Sequence, residues 1–196
     1  MKGTKLNPGA PVIVLSGLDR CGKTTMARSL SRDLNVPVFH FGVPPEEGAF
    51  QFYLSRFTEC VAANPQGFIF DRSFLDNRAY NGVFGGGVLD EVEFESLALK
   101  LEKLQPIYIL MYDGSQQAHK RIQAEGKSPL TFDQVRLIQE RFVDIYKDLP
   151  QERRLIETLG MFSSDVRSEY VVPTYAYVVL TVSLWARKQK GEEGKL

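Results

Sequence analysis

The chain has 196 residues, of which 43% are hydrophobic and 24% are charged, a composition typical of one globular domain with a sizeable core. Its 24 basic residues balance its 24 acidic ones, so no global positive field favours sequence-independent binding of DNA. The two cysteines, Cys21 and Cys60, form neither a disulfide framework nor a zinc-binding spacing, which favours a reduced, cytoplasmic location.

We expect one folded domain over residues 11–190, with a flexible leader at 1–10 and a flexible tail at 191–196. The leader is polar and lacks the apolar stretch of a secretory signal. The most apolar late segment, residues 171–186, is interrupted by polar residues and is shorter than the roughly 20 residues that cross a bilayer. We therefore predict a buried strand or helix there and no membrane partner.

Predicted strands and helices alternate along the chain. The strands are short apolar runs at residues 11–16, 37–41, 67–71 and 107–112. The helices have apolar residues at three- and four-residue steps and cover residues 24–34, 46–63, 73–83, 90–104, 115–124 and 131–149. This order predicts an α/β fold with a mainly parallel sheet, helices on both faces and ligands at the carboxyl ends of the strands.

Residues 17–24, GLDRCGKT, match the phosphate-binding pattern G-x-x-x-x-G-K-[ST] between a predicted strand and a predicted helix. In such a loop the backbone N–H groups point at phosphate oxygens, and the positive end of the following helix adds to the field. Lys23 is predicted to bind the β- and γ-phosphates of ATP, Thr24 to bind Mg²⁺, and Arg20 to neutralise the phosphoryl group during transfer. The predicted ATP-binding residues are Gly17, Leu18, Asp19, Arg20, Cys21, Gly22, Lys23, Thr24 and Thr25.

Asp71, Arg72 and Ser73 follow the third predicted strand, at the sheet edge that holds the phosphate-binding loop. Arg72 is suited to a bidentate grip on a phosphate group. Asp71 can hold Mg²⁺ through water, or it can accept the proton of an attacking hydroxyl group. A phosphate acceptor is already ionised at neutral pH and needs no base, so both roles of Asp71 stay open. The predicted catalytic residues are Arg20, Lys23, Asp71 and Arg72, and the predicted metal ligands are Thr24 and Asp71.

Residues 12–26 resemble the opening of thymidylate kinases that carry an arginine in the phosphate-binding loop. Asp71-Arg72 followed by Ala79-Tyr80 is similar to that family's D-R-Y/F/H and A-Y pattern, and the resemblance covers about residues 11–150. It implies that Asp19 contacts the acceptor sugar, that Arg20 assists transfer and that Arg72 grips the acceptor. The lid segment, residues 125–129, has no arginine, which agrees with an arginine in the loop performing that role. Because thymidylate kinases are commonly dimers, the resemblance also implies a homodimer.

The chain departs from that family where the acceptor base would be recognised. Ser73 stands where an aromatic residue is usual, and Asn81 stands where a glutamine is common. By analogy with related kinases, Phe41 would stack on the base and Arg56 would contact it. The predicted substrate-binding residues are Asp19, Phe41, Arg56, Arg72, Ser73, Asn77, Arg78 and Tyr80.

These observations predict a magnesium- and ATP-dependent phosphotransferase that acts on a thymine-type pyrimidine deoxynucleotide. Two alternatives have a hydroxyl acceptor. One is a deoxynucleoside kinase, because Asp71-Arg72-Ser73 is similar to the E-R-S motif of those enzymes. The other is a phage-type kinase that acts on 5-hydroxymethyluracil in DNA, with DNA as the substrate. A non-enzymatic alternative is an ATP-binding switch protein, although the N-K-x-D motif of GTPases is absent.

Overall fold

The computed structural model describes residues 6–7, 10–124 and 130–158, together with Val182 and Leu184. Within these residues five parallel strands form one sheet in the order β2-β3-β1-β4-β5. The strands are β1 at Val12–Gly17, β2 at Val38–His40, β3 at Phe68–Asp71, β4 at Ile107–Tyr112 and β5 at Arg154–Thr158. The carboxyl ends of β1, β2, β3 and β4 meet at one edge of the sheet.

Helices connect the strands, as expected for a parallel sheet. They are α1 at Lys23–Leu34, α2 at Ala49–Ala63, α3 at Phe74–Phe84, α4 at Glu91–Glu102, α5 at Ser115–Ala124 and α6 at Phe132–Lys147. A short 3₁₀ helix, Gln151–Arg153, precedes β5. The predicted α/β fold with a mainly parallel sheet is confirmed.

The two faces of the sheet bury two separate apolar clusters. Val14 and Phe70 belong to the larger cluster, which includes residues of helices α2 to α6. Ile13 and Ile69 belong to the smaller one, which includes residues of α1. Burying an aliphatic or aromatic side chain of this size contributes roughly 1.5–3 kcal/mol, so the central strands hold the domain together from both sides.

Three helices begin with a capping box, in which the first and fourth residues of the helix start exchange hydrogen bonds. The pairs are Ser73 with Asp76 in α3, Asp90 with Glu93 in α4, and Thr131 with Gln134 in α6. The predicted start of the last helix at Thr131 is therefore confirmed.

Strand β5 was not predicted. Its five residues, RLIET, are short and partly charged, and they become a strand by pairing along β4, with Tyr108 opposite Arg154. The predicted tail and most of residues 1–10 and 171–186 lie outside the described residues. Of the latter segment, Val182 and Leu184 are helical, and Val182 is fully buried in the smaller cluster. Among the described residues, none of the helices is both long and apolar enough to cross a membrane.

Candidate active site

The phosphate-binding loop connects the buried strand β1 to helix α1. Gly17 ends the strand with a φ of 140°, and a Cβ atom there would lie 2.3 Å from the carbonyl oxygen of Met111. Gly22 caps α1 in the left-handed conformation, with a φ of 87°. Gly17 requires glycine because of this close approach, and Gly22 has a conformation that glycine favours, so the two glycines of the motif set the path of the loop.

Lys23 lies folded back into this loop and is 5% exposed. Its Nζ donates hydrogen bonds to the carbonyl oxygens of Gly17 at 2.8 Å and Leu18 at 2.6 Å, and it lies 3.7 Å from the Cys21 sulfur. Burial raises the pKa of the Cys21 thiol, so this sulfur stays neutral beside the ammonium group. The lysine cation is thus held at the point where the phosphates of a nucleotide are expected.

Asp71 and Thr24 fit a magnesium site. The Thr24 hydroxyl donates to Asp71 Oδ2 at 2.7 Å, and His40 Nδ1 lies 3.1 Å from the same oxygen. Asp71 is 1% exposed, and its other oxygen, Oδ1, is buried with no hydrogen-bond partner among the described residues. A hydroxyl and a carboxylate oxygen are ligands that Mg²⁺ accepts, directly or through its waters, beside nucleotide phosphates.

Arg72 is held from two sides, through its backbone and through its side chain. Its backbone N–H donates to the Leu15 carbonyl at 2.9 Å, and its guanidinium group forms an ion pair with Asp19. Its Nε is buried and has no acceptor in the described part of the chain. Tyr80 joins this group, because its hydroxyl oxygen accepts a hydrogen bond from the Asp19 N–H at 3.3 Å.

Arg20 and Arg72 both adopt left-handed backbone conformations, with φ angles of 67° and 74°. Residues other than glycine adopt this conformation at a cost of order 1–3 kcal/mol, and such residues cluster at functional sites. Both arginines that were predicted to act on phosphate groups therefore have this conformation.

The loop, Arg72 and helix α5 enclose a cleft of about 680 Å³, which is within the size range of small-ligand sites. Its lining consists of Asp19, Arg20, Gly22, Lys23, Thr24, Thr25, Arg72, Arg121 and Ala124. All but the last two are residues that the sequence predicted. Arg121 was missed as a site residue, although it forms a 3.0 Å ion pair with Asp113, which follows the end of β4. Burial raises the pKa of the Asp113 carboxyl group even with Arg121 beside it.

Besides Tyr80, five other predicted substrate-binding residues do not line this cleft. Phe41 is buried, 4.9 Å from the ring of Phe70, and Ser73 is the buried N-cap of α3. Arg56 is exposed on α2, where it pairs with Glu59. Asn77 donates to the Tyr53 hydroxyl at 2.7 Å, while the Arg78 guanidinium lies 4.1 Å over the ring of Phe94 and 3.0 Å from Glu91. Their contacts within the described structure are core, capping and surface contacts.

Asp76 was not predicted and lies directly beneath the loop. It is 4% exposed, accepts a hydrogen bond from the Ser16 hydroxyl, and lies 3.4 Å from the Gly17 N–H. Burial raises the pKa of this carboxyl group to about 6, against the opposing effect of Lys23. Its spacing from Ser73 could have predicted the capping box, but not its contact with the loop.

No protein-family model and no curated protein sequence matches the chain. Solved structures do match. The YorR protein of Bacillus subtilis, in complex with phosphorylated GDP, is 20% identical, with 88% of this chain and 96% of that chain covered, at a TM-score of 0.67. Thymidylate kinase from Ehrlichia chaffeensis is 18% identical, with 90% and 98% covered, at 0.53. Polyphosphate kinase 2 from Arthrobacter aurescens TC1 is 17% identical, with 95% and 70% covered, at 0.60.

The chain therefore has the fold of the P-loop kinases, with the phosphate-binding loop in the expected place. Within that fold it resembles thymidylate kinase, as the sequence predicted. Identities of 20% and below show the fold alone, and the similar structures carry different names, so the fold does not select the acceptor.

Proposed function

We propose that this protein is a magnesium-dependent phosphotransferase that moves the γ-phosphate of ATP onto a thymine-type pyrimidine deoxynucleotide. The observation that supports it is one cleft lined by Lys23, Arg72 and Thr24, with Asp71 hydrogen-bonded to the Thr24 hydroxyl. Cations that line one cleft suit phosphoryl transfer, because the reaction brings the negative charges of donor and acceptor together and these must be neutralised.

On the donor side, the triphosphate of ATP binds to the N–H groups of the loop and to the start of α1. Lys23 exchanges the carbonyl oxygens of Gly17 and Leu18 for phosphate oxygens. Thr24 and Asp71 hold Mg²⁺, which neutralises charge on the β- and γ-phosphates when it is bound. Arg20 lies in the same cleft and contacts the phosphoryl group in transfer.

On the acceptor side, Arg72 holds the phosphate of the deoxynucleotide. Arg72 lines the cleft, and its buried Nε, which has no protein acceptor among the described residues, donates to a substrate oxygen once the side chain moves it into the cleft. That oxygen attacks the γ-phosphorus, the bond to the oxygen between the β- and γ-phosphates breaks, and ADP leaves. A phosphate oxygen is ionised at neutral pH, so the step needs positioning and charge neutralisation rather than a base.

The hydroxyl-acceptor alternatives are favoured by Asp71. Its buried Oδ1 could accept the proton of a hydroxyl group of a nucleoside or of 5-hydroxymethyluracil in DNA. Asp71→Asn distinguishes a hydroxyl acceptor from a phosphate acceptor. If a hydroxyl acceptor needs Asp71 as its base, the variant is inactive. A phosphate acceptor predicts a smaller loss, accompanied by weaker Mg²⁺ binding, so that a higher Mg²⁺ concentration is needed for full activity.

The first test is transfer of labelled γ-phosphate from ATP to dTMP, other deoxynucleotides, thymidine, and DNA that contains thymine or 5-hydroxymethyluracil. Label on dTMP is the expected result, and label only on a nucleoside or on DNA would move the protein to one of the hydroxyl-acceptor alternatives. ATP binding with no transfer to any member of the panel would favour the switch protein.

Lys23→Ala should lower the transfer rate by at least about 10²-fold, because it removes a preorganised charge from the developing phosphoryl group. The matched control is Lys100→Ala, since Lys100 is exposed on α4. Circular dichroism and unfolding curves establish that both variants are folded. A folded Lys23→Ala protein with wild-type turnover would rule out the donor site.

A further inference from the structure

We infer that Asp76 is a positioning residue that fixes the phosphate-binding loop and Arg72 relative to each other, so that the donor and acceptor sites face one phosphoryl group. The inference rests on the proposed phosphotransferase function. It concerns a residue outside the cleft lining that touches neither the nucleotide nor the acceptor.

The Asp76 carboxylate contacts both sides of the site. On the donor side, its Oδ2 accepts from the Ser16 hydroxyl at 2.9 Å, and its Oδ1 lies 3.4 Å from the Gly17 N–H. On the acceptor side, Oδ2 also accepts from the Ser73 N–H at 3.0 Å. Because Ser73 directly follows Arg72, one side chain joins the beginning of the loop to the residue that holds the acceptor.

The other two capping boxes show that this arrangement exceeds what capping requires. Glu93 caps α4 and Gln134 caps α6 with hydrogen bonds to their own helix starts, and both of those bonds lie at exposed positions. Asp76 performs the same role in α3, but it is buried and also bonds to β1. Burying a carboxyl group is costly, and a solvent-exposed residue would suffice for the cap.

The surroundings of Asp76 lock its position. Ser16 lies in the central strand β1, with no exposed surface, and the start of α3 is fixed by the Arg72 N–H bond to Leu15. Lys23 and Arg72 lie close enough to lower the pKa of Asp76, opposing its burial. The carboxyl group therefore interacts electrostatically with the two cations whose relative position we infer it to set.

Removing these hydrogen bonds should impair transfer more than nucleotide binding. Asp76→Ala leaves the loop able to bind ATP, so we expect the dissociation constant to change by less than about 3-fold. The rate of transfer per bound ATP should fall about 10- to 100-fold, because a displacement of about 1 Å between reacting groups has effects of this size. Asp76→Asn keeps an oxygen for Ser16 and Ser73 and should stay within about 5-fold of the wild-type rate.

The experiment measures ATP binding and its stoichiometry by calorimetry, then single-turnover transfer to the acceptor found by the panel, or to water if none is found. Glu93→Ala is the matched control, since it removes the same capping bond from α4. A purely structural role would lower the fraction of protein that binds ATP and leave the rate per bound ATP unchanged. Wild-type protein that binds no ATP would refute the proposed function, whatever the variants do.

Asp76→Ala leaves Ser16 and Ser73 without an acceptor and is the variant whose folding is at risk. Ser16→Ala removes one of the same hydrogen bonds while Asp76 keeps those to Gly17 and Ser73, and it should lower the rate per bound ATP about 3- to 10-fold. The inference is overturned if Asp76→Ala folds and transfers within about 3-fold of the wild-type rate. It is equally overturned if Ser16→Ala is unchanged, or if Asp76→Asn is as impaired as Asp76→Ala.

Discussion

Arg72 shows at the scale of one residue what the sequence reveals and what it does not. Its position after a buried strand ending in Asp71 predicted that it would lie at the active edge of the sheet, and it does. Three other features of Arg72 depend on residues distant in the chain. They are its left-handed backbone, its ion pair with Asp19 and its Nε, which has no partner among the described residues. They cannot be inferred from a local pattern, because each needs a second segment in contact.

Arg72→Ala should lower kcat/KM for the acceptor by about 10²–10³-fold, mainly through KM, because it removes a charge-assisted hydrogen bond donor from the acceptor phosphate. Arg56→Ala is the matched control: its side chain is 59% exposed and paired only with Glu59 in the described structure. We expect less than about 2-fold change for that control in steady-state kinetics. Equal effects of the two substitutions would remove Arg72 from the acceptor site.

At the scale of the elements, strands and helices were predicted from apolar spacing and from capping residues, and all four predicted strands are present among the five described ones. The orientation of α3 about its own axis was not predicted. Arg78 and Tyr80 are two residues apart, so their side chains point to widely separated sides of the helix. Tyr80 contacts the loop, whereas Arg78 lies over Phe94 in α4. A sequence gives the helical period but not which face meets which neighbour.

The turn between β1 and α1 allows a test of backbone geometry. Gly17→Ala places a Cβ atom 2.3 Å from the Met111 carbonyl oxygen, at a φ that side chains disfavour, so β1 and β4 must separate locally. We expect a loss of stability of at least about 2 kcal/mol and loss of ATP binding. Urea unfolding measures the first and calorimetry the second.

Gly114→Ala is the control for that substitution, because a Cβ atom there meets nothing within 4 Å. Its stability should stay within about 0.5 kcal/mol of the wild type. A Gly17→Ala protein that unfolds at the same urea concentration as Gly114→Ala would show that the loop does not follow the described path.

At the scale of the whole molecule, Asp76 connects the active site to global stability. Its pKa is raised by burial from 3.8 to about 6, so the folded protein holds a proton between those values that the unfolded chain releases. Stability should therefore fall as the pH rises from about 4 to about 6, with a contribution from this group of about 3 kcal/mol. Asp76→Asn removes this contribution.

Urea unfolding of wild type and Asp76→Asn at pH 4, 5, 6 and 7 measures that contribution. The stability of the variant relative to the wild type should increase with pH, and most of the increase should occur below pH 6.5. A difference that stays constant over this range would mean that Asp76 titrates normally. The variant is thus expected to gain stability relative to the wild type as the pH approaches neutral.

The position of Lys23 affects which anions the protein can bind when no nucleotide is bound. Its ammonium group already donates hydrogen bonds to two backbone carbonyl oxygens. An incoming anion can therefore pair with this charge only by displacing those oxygens. A single inorganic phosphate would offer few contacts in return, whereas we expect a triphosphate to contact the whole loop and the start of α1. We therefore expect Lys23 to set an energetic threshold for binding that small competing anions, which are abundant in cells, do not reach.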